Sequence, residues 1–314
     1  MLARISNSLV LAGALTCSQA LELEEIPLIR TDSSHHYLVE AKVEGDDFPL
    51  LIDSGAGMEL VLSNATAEAL GKIGKDGGSA KGVGGSAAMK QFNVRNLKLG
   101  SRSFRKQTTY SIELQHALLL LDGEKFPPAG LVGAPMLKRL NAVADTRSRK
   151  LLVPPRDAGA DAFLKARDTG ATRTIKMSEG DYSFAFVDIE IEGETYAFLL
   201  DVGAGTNSLE PSIAEKFGLT LSEDGRDISG AGKSKAMNAR RTEVEEPVIG
   251  GKIKLPKMSF DVHALHGVVP PNGKPLGGIL GSRTLGALGA QVDFGSYRII
   301  VPHFIRIDGL KQLR

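Results

Sequence analysis

Leu51-Ile52-Asp53-Ser54-Gly55-Ala56-Gly57 returns 148 residues later as Leu199-Leu200-Asp201-Val202-Gly203-Ala204-Gly205, an apolar strand running into an acid and a glycine turn. The offset is not confined to these heptads. Val43-Glu44-Gly45 meets Ile191-Glu192-Gly193, Gly82 and Gly84 meet Gly230 and Gly232, and Ala88-Met89 meets Ala236-Met237. Gly133 meets Gly281, Asp145 meets Asp293, and Val153-Pro154 meets Val301-Pro302. A duplication of a whole domain explains all of these at once. Two acids on equivalent tight turns point to one shared site with two carboxylates.

The 314 residues suffice for two lobes of roughly 130 to 150 residues, each able to bury its own core. Lysine and arginine number 38 against 37 acids, so the chain has no field that would draw it to nucleic acid or to an anionic membrane. Residues 1–20 read as an export signal: Arg4, an apolar run from Ile5 to Thr16, then Ser18-Gln19-Ala20. The run is about 12 residues, short of the roughly 20 that a membrane span needs. Leu15-Thr16-Cys17 fits a lipoprotein signal poorly. Cys17 is the one cysteine, so cleavage after Ala20 leaves a chain without disulfides, which suits a bacterial periplasm or secretion. The sequon Asn64-Ala65-Thr66 is then a chance match.

Alternating apolar and polar residues predict strands over Tyr37 to Glu44 and Ser183 to Glu192. Turns at Gly45-Asp46-Asp47 and Gly193-Glu194 lead into Phe48 to Ile52 and Thr195 to Leu200, which deliver the acids. Short helices follow over Ser63 to Leu70, ending at Gly71, and Pro211 to Phe217, ending at Gly218. The lobes are placed at 21–155 and 175–314, with a linker at 156–174 that has room for a helical turn or two between Ala160 and Arg167. Leu21 to Thr31 reads as an activation segment or a first strand.

Asp53-Ser54-Gly55-Ala56, a glycine-rich hairpin, and Leu131-Val132-Gly133 before Met136-Leu137 together resemble a retropepsin-like aspartic protease domain. The second half resembles it again, through Asp201-Val202-Gly203-Ala204, Ser229-Gly230-Ala231-Gly232 and Gly278-Ile279-Leu280-Gly281. The resemblance covers nearly all of residues 35 to 305. It implies an all-β, bilobal acid-protease fold of two closed β-barrel lobes with the active site between them. It further implies a peptide or protein substrate, no metal or organic cofactor, and a monomer, because both lobes lie on one chain. Asp53 and Asp201 take the places of the two catalytic aspartates, which share a proton because two close carboxylates cannot both ionise. Gly55 and Gly203 have a reason beyond the resemblance, since a side chain there would collide where two acids approach each other's backbone. Ala56 and Ala204 stand where pepsin-like enzymes carry a hydroxyl, which implies a less acidic optimum than pepsin's. Gly82, Val83 and Gly84, with Gly230, Ala231 and Gly232, correspond to two flaps that close over the substrate.

One position departs from the pattern. A threonine or serine normally follows the catalytic acid and pins the two lobes together through its hydroxyl; Ser54 has one and Val202 does not. The loss is on the order of 1 kcal/mol if the abandoned groups find water. It leaves open a catalytically silent peptide-binding protein as the alternative to an active endopeptidase.

Other residues offer weaker chemistry. Gly232-Lys233-Ser234 fails as a phosphate loop because Asp227 stands where the motif needs glycine. His35-His36 and His263 with His266 read as surface or loop histidines, since residues three apart on a strand face opposite ways. Asp145 and Asp293 read as turn residues, and Asp122, Glu124 and Glu243 to Glu246 as solvated loops. A nucleophilic serine at Ser54 would need a histidine and an oxyanion hole that nothing in the sequence locates. Val83, Met89, Ala231 and Met237 are candidate apolar substrate contacts, whereas Leu131 and Ile279 read as core.

Overall fold

The computed structural model describes residues 21–32, 35–82, 85–167, 171–228 and 237–303. Each half opens with a hairpin: Tyr37–Val43 pairs with Asp46–Asp53, and Ala185–Ile191 with Glu194–Asp201. The turns are Glu44-Gly45 (φ 55° and 115°) and Glu192-Gly193 (φ 48° and 81°). Both residues of each loop are left-handed, as a two-residue turn matched to strand twist requires. Both turns therefore start one residue earlier than the sequence suggests, and Asp46, Asp47 and Glu194 already belong to the strands. The acid-bearing strands then gain parallel partners, Gly130–Gly133 beside Asp46–Asp53 and Leu276–Gly281 beside Glu194–Asp201.

Helices form where the sequence places them, at Asn64–Ala69 and Pro211–Lys216. Ser63 caps the first, its Oγ accepting the Thr66 amide at 3.0 Å. Further short helices follow the glycine strands at Ala134–Arg139 and Ser282–Leu288, and one within the linker spans Ala162–Arg167. Leu21 to Thr31 contains a strand, Glu24–Arg30, which pairs with both Tyr37–Val43 and Lys150–Val153.

A sheet built by both halves joins the lobes. Val143–Asp145 pairs antiparallel with Gln291–Asp293, Ala144 opposite Val292. Lys150–Val153 and Glu24–Arg30 extend it on one side, Arg298–Pro302 and Thr172–Lys176 on the other. The crossing register is symmetric under the duplication, because Asp145 and Asp293, which lie 148 residues apart, occupy its two ends. Asp145 Oδ1 accepts the amides of Arg147 and Ser148, and Asp293 Oδ1 those of Gly295 and Ser296, so both aspartates hold turns, as their sequence context suggests.

Alternation along the acid-bearing strands divides the core. Ile52 and Leu200 point into the main core, which runs through both lobes. Leu51 and Leu199 face the other way, into two smaller clusters. These clusters are equivalents under the offset: Leu38, Leu51 and Leu131 with Ala56 in one lobe, Phe186, Leu199 and Ile279 with Ala204 in the other. Each includes the alanine of the acid turn, so each forms a wall beside the acids.

Candidate active site

Asp53 and Asp201 end their strands, and each turn closes tightly on itself, with Ala56 N donating to Asp53 O at 3.2 Å and Ala204 N to Asp201 O at 3.3 Å. The helix that follows each glycine strand supports the turn from below. Ala134 N donates to Ala56 O at 2.9 Å and Ser282 N to Ala204 O at 2.8 Å. A Cβ on Gly133 would stand 2.0 Å from the Met58 carbonyl oxygen, and one on Gly281 2.3 Å from that of Thr206. The apolar-apolar-glycine motif is thus a packing requirement of the acid turn above it.

The two turns face each other across the lobe junction, and the carboxyls of Asp53 and Asp201 hydrogen-bond one another. A Cβ on Gly55 would lie 2.5 Å from Asp201 Oδ2, and one on Gly203 2.7 Å from Asp53 Cγ. Both glycines are therefore fixed by the approach of the opposite acid, as the sequence implies. The amides around the pair are unequal: Asp201 Oδ1 accepts Gly55 N at 3.0 Å and Gly203 N at 2.8 Å, while Asp53 Oδ1 shares Gly55 N at 3.0 Å. Burial raises both acids above the ordinary aspartate range, Asp53 further because the Asp201 charge adds to it. The amides of Gly203 and Gly55 offset much of the rise at Asp201. The two acids titrate as a pair that holds a proton above the ordinary aspartate range.

Ser54, fully buried, spans the junction: its Oγ donates to Leu200 O at 2.9 Å and accepts Val202 N at 3.0 Å. Val202 is equally buried and returns no such bonds, so one arm of the inter-lobe clamp exists and the other is an apolar contact.

His35, His36, His263 and His266 lie outside helices and strands, as the sequence suggests, but His36 and His263 are more enclosed than a surface position would be. His263, in the loop after Lys257–Val262, is 5% exposed, and its Nε2 lies 2.7 Å from Ser208 Oγ. His36 reaches across the junction, its ring donating to the Gly203 carbonyl while Nδ1 is buried without a partner. Burial, with His35 beside it, lowers His36 to about 4, so the ring is neutral. The repeat carried the signal for this residue: 148 positions on lies Phe184, whose ring packs beside Gly57 of the opposite turn. Among the described residues no cluster of three or more His, Cys, Asp or Glu is disposed to hold a metal.

Gly82 ends the hairpin strand Lys75–Gly82, whose partner Gly85–Leu99 begins just past the tip. Val83 and Gly84, and likewise Gly230, Ala231 and Gly232, lie outside the described residues. Met89 is half-buried on the first hairpin, and Leu131 and Ile279 are 6% and 7% exposed within the cleft-side clusters.

The model of the aspartyl protease family matches residues 39–136 and again 187–284. The chain belongs to this family. The two matches repeat at the offset read from the acid turns, so the domain is present twice. No curated protein matches the chain by sequence. Among solved structures, the aspartic proteinase from Irpex lacteus aligns over 91% of this chain and 99% of its own, with a TM-score of 0.51 and 14% identity. That likeness extends to the bilobal fold. A retropepsin-like aspartic protease from Rickettsia conorii aligns over 42% of this chain and 92% of its own, at 20% identity and a TM-score of 0.30.

Proposed function

We propose that the protein is an endopeptidase in which Asp53 and Asp201 activate water to hydrolyse a peptide bond. The observation that carries this is the pairing itself: two carboxyls, one per lobe, hydrogen-bonded to each other and sharing the Gly55 amide. The ionised acid of the pair removes a proton from water as the oxygen attacks the scissile carbonyl, and its protonated partner gives its proton to the carbonyl oxygen. Collapse of the tetrahedral intermediate returns a proton to the acid that gave one and passes the proton taken from water to the leaving nitrogen. The raised protonation of the pair supports an optimum less acidic than pepsin's. The apolar clusters around Leu51 and Leu199 favour hydrophobic residues beside the cleaved bond, and an extended substrate would pair with cleft strands by backbone hydrogen bonds. The pattern of residues 1–20 supports export to a periplasm or the medium, with the strand Glu24–Arg30 closing the lobe soon after the cleavage point.

The buried Val202 favours a second reading, a silent peptide-binding protein in which the dyad survives as scaffold. The test is cleavage of an unfolded protein mixture, from acid to neutral pH, by the chain lacking residues 1–20, beside Asp53→Asn and Asp201→Asn. Activity in the parent and in neither variant establishes the dyad. A folded parent that cuts nothing at any pH supports the binding protein.

A further inference from the structure

The C-terminal lobe carries a pocket that the dyad chemistry leaves unused. Asn207, Phe260 and Asp261 form its buried floor, and Arg241 and Arg283 stand on its walls. Arg226 reaches the same floor, its Nη2 lying 3.7 Å from Asp261 Oδ2, while Arg241 Nε lies 3.8 Å from Oδ1. These separations are ion pairs but too long for hydrogen bonds. Asp261 is 2% exposed, and its one short bond comes from Thr206 Oγ1 at 2.7 Å, leaving Oδ1 without a hydrogen-bond partner. Arg283 Nε is buried without a hydrogen-bond partner, and its guanidinium also feels the charge of Asp261. Three guanidiniums thus meet one carboxylate. Burial first, and then repulsion from Arg241 and Arg226, lower the Arg283 pKa while Asp261 raises it, and the guanidinium remains charged. An excess of positive charge with unfilled planar donor forks fits a carboxylate, which guanidinium binds through two parallel hydrogen bonds.

The position of the pocket ties it to the cleft. Arg283 lies two residues beyond Gly281, which pairs with Asp201, and it is near enough to His35 to lower that ring. Arg226 and Arg241 stand on Gly225–Ile228 and Met237–Glu245, the strands flanking the second glycine hairpin. The other lobe supplies a natural contrast. Its counterpart of Asn207 is Glu59, which pairs with Arg139 at 3.0 Å and accepts from Gln107, so that side neutralises itself.

We propose that Arg283, Arg241 and Arg226 form a carboxylate-binding subsite, so that the cleft selects a peptide bearing an acidic group on its C-terminal-lobe side. This rests on the cleft being a peptide site, as argued above. Asp261 gathers Arg226 and Arg241, and the incoming carboxylate satisfies Arg283 and the faces of the other two that Asp261 does not use. The carboxylate comes from a Glu or Asp side chain or from a chain terminus.

The test is fluorescence anisotropy with fluorescein-labelled Ala/Leu decapeptides in which Glu, or its neutral isostere Gln, is walked through each position, with a free-acid or amide C-terminus. The titrated proteins are Asp53→Asn, which keeps the peptide whole, and the same chain carrying Arg283→Met or Arg241→Met, each checked by thermal melting. The expected result is one position where Glu binds at least tenfold more tightly than Gln, with the preference abolished by Arg283→Met and reduced by Arg241→Met and by salt. A free-acid preference without a side-chain preference would identify the chain terminus as the source. Equal binding of all charge pairs, no peptide binding at all, or a preference that survives Arg283→Met would overturn the subsite. Cleavage by the parent is scored separately. Acid-selective binding without cleavage would refute the endopeptidase and keep the pocket, and cleavage without acid selectivity would do the reverse.

Discussion

Substituting Ser54 by alanine removes both hydrogen bonds of the surviving clamp, the 2.9 Å bond to Leu200 O and the 3.0 Å bond from Val202 N. Each bond contributes about 1 kcal/mol net, and leaving its backbone partner buried and unpaired adds to the loss, so Ser54→Ala should cost about 2 to 3 kcal/mol. With an unfolding entropy of about 2.1 cal/mol/K per residue, a span of roughly 280 residues gives about 0.6 kcal/mol/K, and the melting temperature should fall by about 4 °C. Val202→Thr is the converse experiment. Under the duplication its hydroxyl would face the Ile52 carbonyl and the Ser54 amide, the counterparts of Leu200 O and Val202 N. Threonine has nearly the volume of valine, so the gain should be about 1 to 2 kcal/mol, or some 2 to 3 °C. Calorimetry at neutral pH, with protein cleavage assayed in parallel, measures both. An unchanged melting temperature for Ser54→Ala would show that the bonds across the junction carry no stability. A fall for Val202→Thr would show that the second pair of backbone groups is already occupied, so that valine there is a fitted contact and not a missing arm.

Gly203→Ala places a methyl 2.7 Å from Asp53 Cγ and should lower kcat/KM at least 100-fold while the chain still folds; full activity would contradict the close approach of the two turns. Because both dyad acids are raised, their protonated forms stabilise the fold below the ordinary aspartate range, and that stability is lost as pH rises through the raised values. Asp53→Asn should therefore gain over the parent in urea midpoint towards neutral pH, with the difference closing in acid; a constant difference would refute the coupling. His36 is shifted the other way, to about 4 from 6.5, so its contribution is intact above 6.5 and lost as pH falls towards 4. His36→Gln should flatten that acid decline in stability, and an unchanged slope would remove His36 from the junction.

The duplication, the two hairpins, the acid turns and the glycine element were legible because each is a local pattern: alternation sets the strand faces, and a two-residue turn or a close backbone approach demands its glycine. The repeat also protected these inferences from chance, since Asp53 and Asp201 arrive with the same neighbours at the same spacing. The enclosure of His36 and His263 within their loops is not legible in the sequence, for the complementary reason. Their neighbours along the chain are polar or mixed, and what buries them, the Gly203 carbonyl and Ser208, is 167 and 55 residues away.

The sequence by itself determined that this is a doubled β protein with one acid turn per lobe and an asymmetric pair of residues behind the acids, because side-chain alternation and backbone sterics act within a few residues. Only the tertiary structure decided that Val143–Asp145 and Gln291–Asp293 join the lobes, that burial raises both acids of the pair, and that three arginines converge on Asp261. Each of these depends on an electrostatic or hydrogen-bonding balance among groups far apart in the chain. That balance has no value until folding has set the distances between them.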